Sequence, residues 1–139
     1  MNKKEILEKL NELTPKTLME TLEITYTDVG EDFVEASMPV NSRVHQPLGL
    51  LHGGAIVALA ESVGSAASYI FVNPKESDVR GVEIAANHVK SKREGTVRAI
   101  AKIIHRGRTT HLWQIRVVDE EENLISLCKL TNIVLPRKK

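Results

Sequence analysis

The sequence predicts an α+β fold in which one long apolar helix lies on one face of an antiparallel sheet. Two observations carry that reading. From Gly54 to about Ile70 or Phe71 the residues are small and apolar with little polar surface on any side, as in a helix buried nearly all round. The β-rich runs are segregated about it, two before and four after, with short turn signals between them.

Taken in order, Ile6, Leu7, Leu10 and Leu13 recur at helical spacing, which predicts a short surface helix ending before Pro15. Two extended runs follow, "LEITYTDVG" and "DFVEASMPV", joined by a hairpin turn at "VGED". In the second, Phe33, Glu35 and Ser37 alternate with Val34, Ala36 and Met38 as a half-buried strand requires. The loop "NSRVHQPLGLLHGG" leads into the long helix, and "NPKESD" closes it with a proline and polar residues. Four strands are then expected in "GVEIAANHVKS", "TVRAIAKIIH", "THLWQIRVVD" and "NLISLCKLTNIVL", separated by "KREG", "RGR" and "EEEN". Residues 1–139 carry no repeat or linker and read as a single domain long enough to bury a core. A sheet curled round the helix would bury it, yet leave open edges and an uncovered face, so a homo-oligomer is expected.

The formal net charge is +1, unlike the strongly basic balance of a nucleic-acid binder. Basic residues gather only locally, at Lys90, Lys92 and Arg93 and at Arg106 and Arg108. The single cysteine, Cys128, excludes an internal disulfide and sits in an apolar run, where a thiol packs as a small hydrophobe. His45, His52, His88, His105 and His111 fit no zinc spacing, so no metal is expected. The opening "MNKKEILEKLNEL" is amphipathic, with acids among its apolar positions, unlike a secretion signal. Ala55 to Val72 approaches membrane length, but Glu61 lies within it and would cost a few kcal/mol in a bilayer. A soluble cytoplasmic protein with no membrane partner is the expectation.

The chemistry concentrates in "QPLGLLHGGAIVALAES", residues 46 to 62. Glycines at a helix start let a ligand approach the first amides, which lack intrahelical partners and carry the positive end of the helix dipole. Such a terminus can hold a phosphate, a carboxylate or the oxyanion of a carbonyl under attack. Glu61 places a carboxylate in the apolar helix, which is costly unless its charge is used or paired. Helical spacing sets it beside Gly64, Ser65 and Ser68 in a small polar groove. Gly53 and Glu61 stand eight residues apart, about 12 Å along a helix. A reacting carbon must lie roughly 3 Å from both the attacking atom and the oxyanion donors. If the two act together, the site is shared between two subunits.

These residues, with "SVGSAAS", "VEIAANHVKSKREG", "IIHRG" and "HLWQIRVVDE", resemble the hotdog-fold acyl-CoA thioesterases. The similarity is to the branch typified by 1,4-dihydroxy-2-naphthoyl-CoA, enterobactin-proofreading and Arthrobacter-type 4-hydroxybenzoyl-CoA thioesterases, and it covers nearly the whole chain. The resemblance implies a curved antiparallel sheet wrapped round the long helix and a dimer with shared active sites, commonly a dimer of dimers. It implies hydrolysis of a small, aromatic acyl-CoA, with Glu61 as nucleophile or general base and the Gly53 amide of the partner subunit as oxyanion donor. Gln46 would orient the carbonyl or the water, His52 precedes the oxyanion glycine, and Ser65 would hold the water or the leaving thiol. For CoA it points to Gly81, to His88, Val89, Lys90 and Ser91, and to the loop of His105, Arg106, Gly107, Arg108, Thr109 and Thr110. It implies no cofactor, since CoA arrives as part of the substrate. Two other readings of the same fold are an acyl-CoA hydratase or dehydratase and a non-catalytic acyl-CoA-binding module.

Overall fold

The computed structural model describes residues 1–138. Helix α1 (Lys3–Glu12) is opened by Asn2, whose side chain accepts the Glu5 N–H, and it is followed by a single helical turn, α2 (Leu18–Thr21). Strands β1 (Thr25–Val29) and β2 (Phe33–Val40) lead through a 3-10 turn at Ser42–Val44 to helix α3 (Gly53–Phe71). Strands β3 (Ser77–His88), β4 (Gly95–Arg106), β5 (Thr110–Val118) and β6 (Leu124–Pro136) complete the chain. The six strands form one antiparallel sheet in the order β1-β2-β4-β5-β6-β3.

The core lies between α3 and the concave face of this sheet. Ile56, Leu59, Ala60, Val63, Gly64, Ala67 and Ser68 of α3 are buried, a spacing that traces one face of a helix. They meet Val34, Ala36 and Met38 of β2, with Val97, Ala99, Trp113, Ile115, Cys128 and Leu130 of the later strands. Although α3 is long and apolar enough to cross a membrane, its apolar face is a packing face on the sheet.

Several expectations change. The helix is not buried all round, because the opposite face, with Val57, Ala58, Glu61, Ser62, Ser65 and Ala66, borders an open cavity. Leu22 and Glu23 do not begin β1: Leu22 caps α2 and Glu23 turns through a positive φ of 57° before the strand starts. Strand β3 begins at Ser77, within the segment read as a closing loop, because Ser77, Asp78 and Val79 pair with Pro136, Leu135 and Val134. It ends at His88; beyond it the Val89 and Lys90 amides both reach the Ile125 carbonyl.

Strand β3 is one of the two sheet edges. Its register shifts between Gly81 and Glu83, with Gly81 opposite Asn132 and Ile84 opposite Leu130. The extra residue of this bulge, Val82, restores the alternation so that Gly81 and Ile84 both face α3.

Candidate functional site

Helix α3 carries the features singled out in the sequence at two separate places. At its start, the loop is tied down by Gln46 N–H to the Leu50 carbonyl, 2.8 Å, and Gly49 N–H to the Gln46 carbonyl, 3.0 Å. His52 is the N-cap: its Nδ1 accepts the Gly54 N–H at 2.7 Å. The Gly53 N–H has no acceptor among the described residues and stands at the positive end of the helix dipole. A side chain at Gly53 would have to push aside the ring of His88, since a Cβ would lie 2.8 Å from its Nε2. That ring is held in turn by Nδ1 against Ser126 Oγ, 2.9 Å. Gln46, Gly53, His88, Val89, Lys90 and Ser91 thus line one cleft of about 320 Å³.

Glu61 and Ser65 face a different cavity, of about 600 Å³. Its far wall comes from Leu10 and Leu13 near α1, Leu18 and Met19 of α2, and Tyr26 of β1. Leu18 and Met19 are not legible as part of this wall, because α2 is too short to show a period. Asn11 fixes it: Nδ2 donates to the Tyr26 carbonyl at 3.0 Å, and Oδ1 accepts the Tyr26 N–H at 2.9 Å. The Tyr26 hydroxyl donates to the Ser62 carbonyl, 3.3 Å, and burial pushes its pKa up to about 12, so the phenol stays neutral.

The expected groove of Glu61, Gly64, Ser65 and Ser68 is divided. Ser65 shares the cavity with Glu61, but Gly64 and Ser68 turn to the sheet, where a Cβ on Gly64 would meet Leu130 at 2.5 Å. Ser68 Oγ receives Trp113 Nε1–H at 2.8 Å and Asn132 Nδ2–H at 2.8 Å, and lies 2.9 Å from His111 Nδ1. With both lone pairs occupied, its own proton is directed to His111 Nδ1. Burial, and then the charges of Arg106 and His105, hold the His111 pKa below the ordinary histidine range, which suits that acceptor role. The sequence does contain a signal for this cluster, since His111, Trp113 and Asn132 occupy inward positions of otherwise apolar strands.

The carboxylate of Glu61 reaches over Gly81 of its own chain; a Cβ there would lie 3.4 Å from Oε2. Gly81 is therefore beside the carboxylate and not among the residues at the start of α3. The loop from His105 to Thr110 sits at the opposite end of α3. There Arg106 Nη2 donates to the Phe71 carbonyl at 3.1 Å and its guanidinium stands 4.1 Å over the Phe71 ring. Gly107 N–H closes this loop on the Thr110 carbonyl, 2.8 Å, the Thr109 carbonyl accepts Val134 N–H, 2.8 Å, and Arg108 is exposed. Lys90 lies 3.7 Å from Asp119. Among the described residues no three His, Cys, Asp or Glu side chains gather as a metal site.

A six-stranded antiparallel sheet packed around one long helix is the architecture of the hotdog-fold thioester hydrolases. Residues 48–126 match the family model described as the Thioesterase superfamily, and the chain belongs to that family. It is 46% identical over 129 residues to the 1,4-dihydroxy-2-naphthoyl-CoA hydrolase of Escherichia coli, covering 93% of this chain and 94% of the relative. It is 42% identical to the proofreading thioesterase EntH of Cronobacter sakazakii, covering 93% of each. Among solved structures, a mutant thioesterase from Pseudomonas aeruginosa superposes with a TM-score of 0.92 at 44% identity, over 94% of both chains. A thioesterase from Haemophilus influenzae gives 0.90 at 42% identity, over 94% of this chain and 90% of the other.

Proposed function

We propose that this thioester hydrolase acts on a small aromatic acyl-CoA in the cytoplasm, at a site shared by two subunits. Glu61 of one subunit draws a proton from water while the Gly53 N–H of the other receives the oxyanion. The observation that carries this reading is that the carboxylate and the free helix-tip amide, eight residues apart on one helix, open onto separate cavities of the same chain. Strand β3 supplies a way to bring the two together between subunits. Two β3 strands pairing antiparallel about a twofold between Ile84 and Ala85 would set Gly81, beneath Glu61, opposite the partner's His88, which covers the oxyanion amide. The same pairing would bring the loop from His105 to Thr110 toward the partner's stretch from His88 to Ser91, giving CoA a basic rim.

Each oxyanion donor is worth about 3 kcal/mol, and no cofactor is needed for the step. The aromatic preference rests on likeness to the naphthoyl-CoA hydrolase and on a cavity walled by Leu13, Leu18, Met19 and Tyr26. On the outer face of the sheet Ile104 and Leu127 are exposed and border a depression with Leu112, an apolar face that pairing of two dimers into a tetramer would cover. Hydrolysis, in preference to hydration or binding alone, is supported by the activities named for the relatives.

Glu61→Gln is expected to lower kcat by about 10²–10⁴-fold, read as release of free thiol from a panel of aromatic and aliphatic acyl-CoAs, with melting temperature preserved. Turnover near the wild-type rate in that variant would remove the proposal. Single-turnover hydrolysis in oxygen-labelled water separates the two roles of the carboxylate, because label enters Glu61 only if it attacks the thioester carbon itself.

A further inference from the structure

We infer that Asn132 is a positioning residue for Glu61: its Oδ1 accepts the proton-bearing carboxyl that forms when Glu61 takes a proton from water. The inference rests on the general-base reading above. Asn132 is fully buried in β6, and among the described residues its Oδ1 is the one buried side-chain oxygen or nitrogen without a hydrogen-bond partner. Such an orphan is costly in a folded protein and calls for an explanation.

Turning the amide over would give up two donations for one toward Glu61 and set Oδ1 against the Gly64 carbonyl. Asn132 Nδ2 donates both to Ser68 Oγ at 2.8 Å and to the Gly64 carbonyl at 3.2 Å. The carbonyl can only accept, so an oxygen turned toward it would lose a bond and gain a repulsion. Ser68 is itself locked by Trp113 and His111. Oδ1 is thus held facing the Glu61 side of the helix.

Gly81, opposite Asn132 in the register, puts no side chain between the two oxygens. A Cβ at Gly81 would touch both, at 3.4 Å from Glu61 Oε2 and 3.6 Å from Asn132 Oδ1. An ionised Glu61 has nothing to donate, so the orphan waits. When water adds to the thioester carbon, a C–O bond forms and one water proton moves to Oε2. The carboxyl O–H can then donate to Asn132 Oδ1. As the C–S bond breaks, that proton passes to the departing sulfur, leaving acid and free thiol, and Glu61 is ionised again. The arrangement favours the protonated base only while it exists, which is the condition for lowering a barrier instead of tightening ground-state binding.

Glu61→Gln tests the contact directly, because its amide N–H stands in for the carboxyl O–H. A crystal structure of that variant is expected to show Gln Nε2 donating to Asn132 Oδ1, about 3 Å apart. An amide turned away from Asn132, or a water donating to Oδ1 in its place, would overturn the inference. In the otherwise wild-type enzyme, Asn132→Ala is expected to lower kcat about tenfold, the size of one hydrogen bond, with KM within twofold. An unchanged kcat in folded Asn132→Ala would overturn it as well. Should Asn132→Ala not fold, the Glu61→Gln structure decides alone. Failure of the general-base reading shows separately, as retained turnover in Glu61→Gln or as label in the carboxylate.

Discussion

At the scale of single residues, two histidines show how the same side chain is set to different tasks by its first partner. His52 spends Nδ1 on the Gly54 N–H and so frees the amide before it. His111 spends Nδ1 on Ser68, in a buried pocket that keeps it neutral. Its folded pKa is lowered, so the unfolded chain binds a proton more readily. The stability from a neutral His111 is therefore present above the ordinary histidine value near 6.5 and is lost as pH falls below it toward the folded value. The melting temperature should drop between pH 7 and pH 5, and His111→Gln, which keeps an acceptor for Ser68, should flatten that drop. Parallel scanning calorimetry of the two proteins measures it, and equal slopes would detach the acid sensitivity from His111. The residue types that build this cluster are visible in the sequence. Their mutual contacts are not, because Ser68, His111, Trp113 and Asn132 come from three elements whose register only the folded sheet fixes.

At the scale of elements, the bulge in β3 does the most for the site. It keeps Gly81 and Ile84 on one face, so that the strand can seal the core at Ile84 and leave room for a carboxylate at Gly81. Gly81→Ala adds a Cβ at ordinary contact distance from Oε2 and should be tolerated, whereas the branched side chain of Gly81→Val would push the carboxylate aside. A displacement of about 1 Å can cost on the order of a hundredfold in rate. Thiol-release kinetics, with circular dichroism to verify folding, compare the two variants; equal rates would mean that Glu61 does not work above Gly81. The legibility of elements follows the same physics. Helix α3 is plain in the sequence as a long run of small apolar residues, and strands β4, β5 and β6 as β-rich runs set between short turn signals. The start of β3 is not, since Asp78 and Arg80 lie on an edge strand that needs no apolar alternation, and α2 is a single turn capped by Thr17.

For the whole molecule, the question is whether one chain suffices. Within it, the cleft at the start of α3 and the cavity around Glu61 are lined by different residues apart from the helix that joins them. Glu61→Ala and Gly53→Pro, the latter deleting the free N–H at a helix position whose backbone suits proline and displacing the His88 ring beside it, should each be inactive alone. Mixed and allowed to exchange subunits, they should recover about a quarter of wild-type activity, because half the dimers are hybrids and each hybrid has one intact site. No recovery after demonstrated exchange would assign both groups to one chain. The two faces of α3 also differ in what they contribute to folding. Leu59, Val63 and Ala67 are sealed against the sheet, and trimming such side chains costs a domain much of its stability. Val57, Ala58, Ser65 and Ala66 border open space, so their replacement disturbs folding far less. Selection can therefore retailor which acyl chains are accepted along one stripe of the helix, while the stripe behind it keeps the scaffold intact.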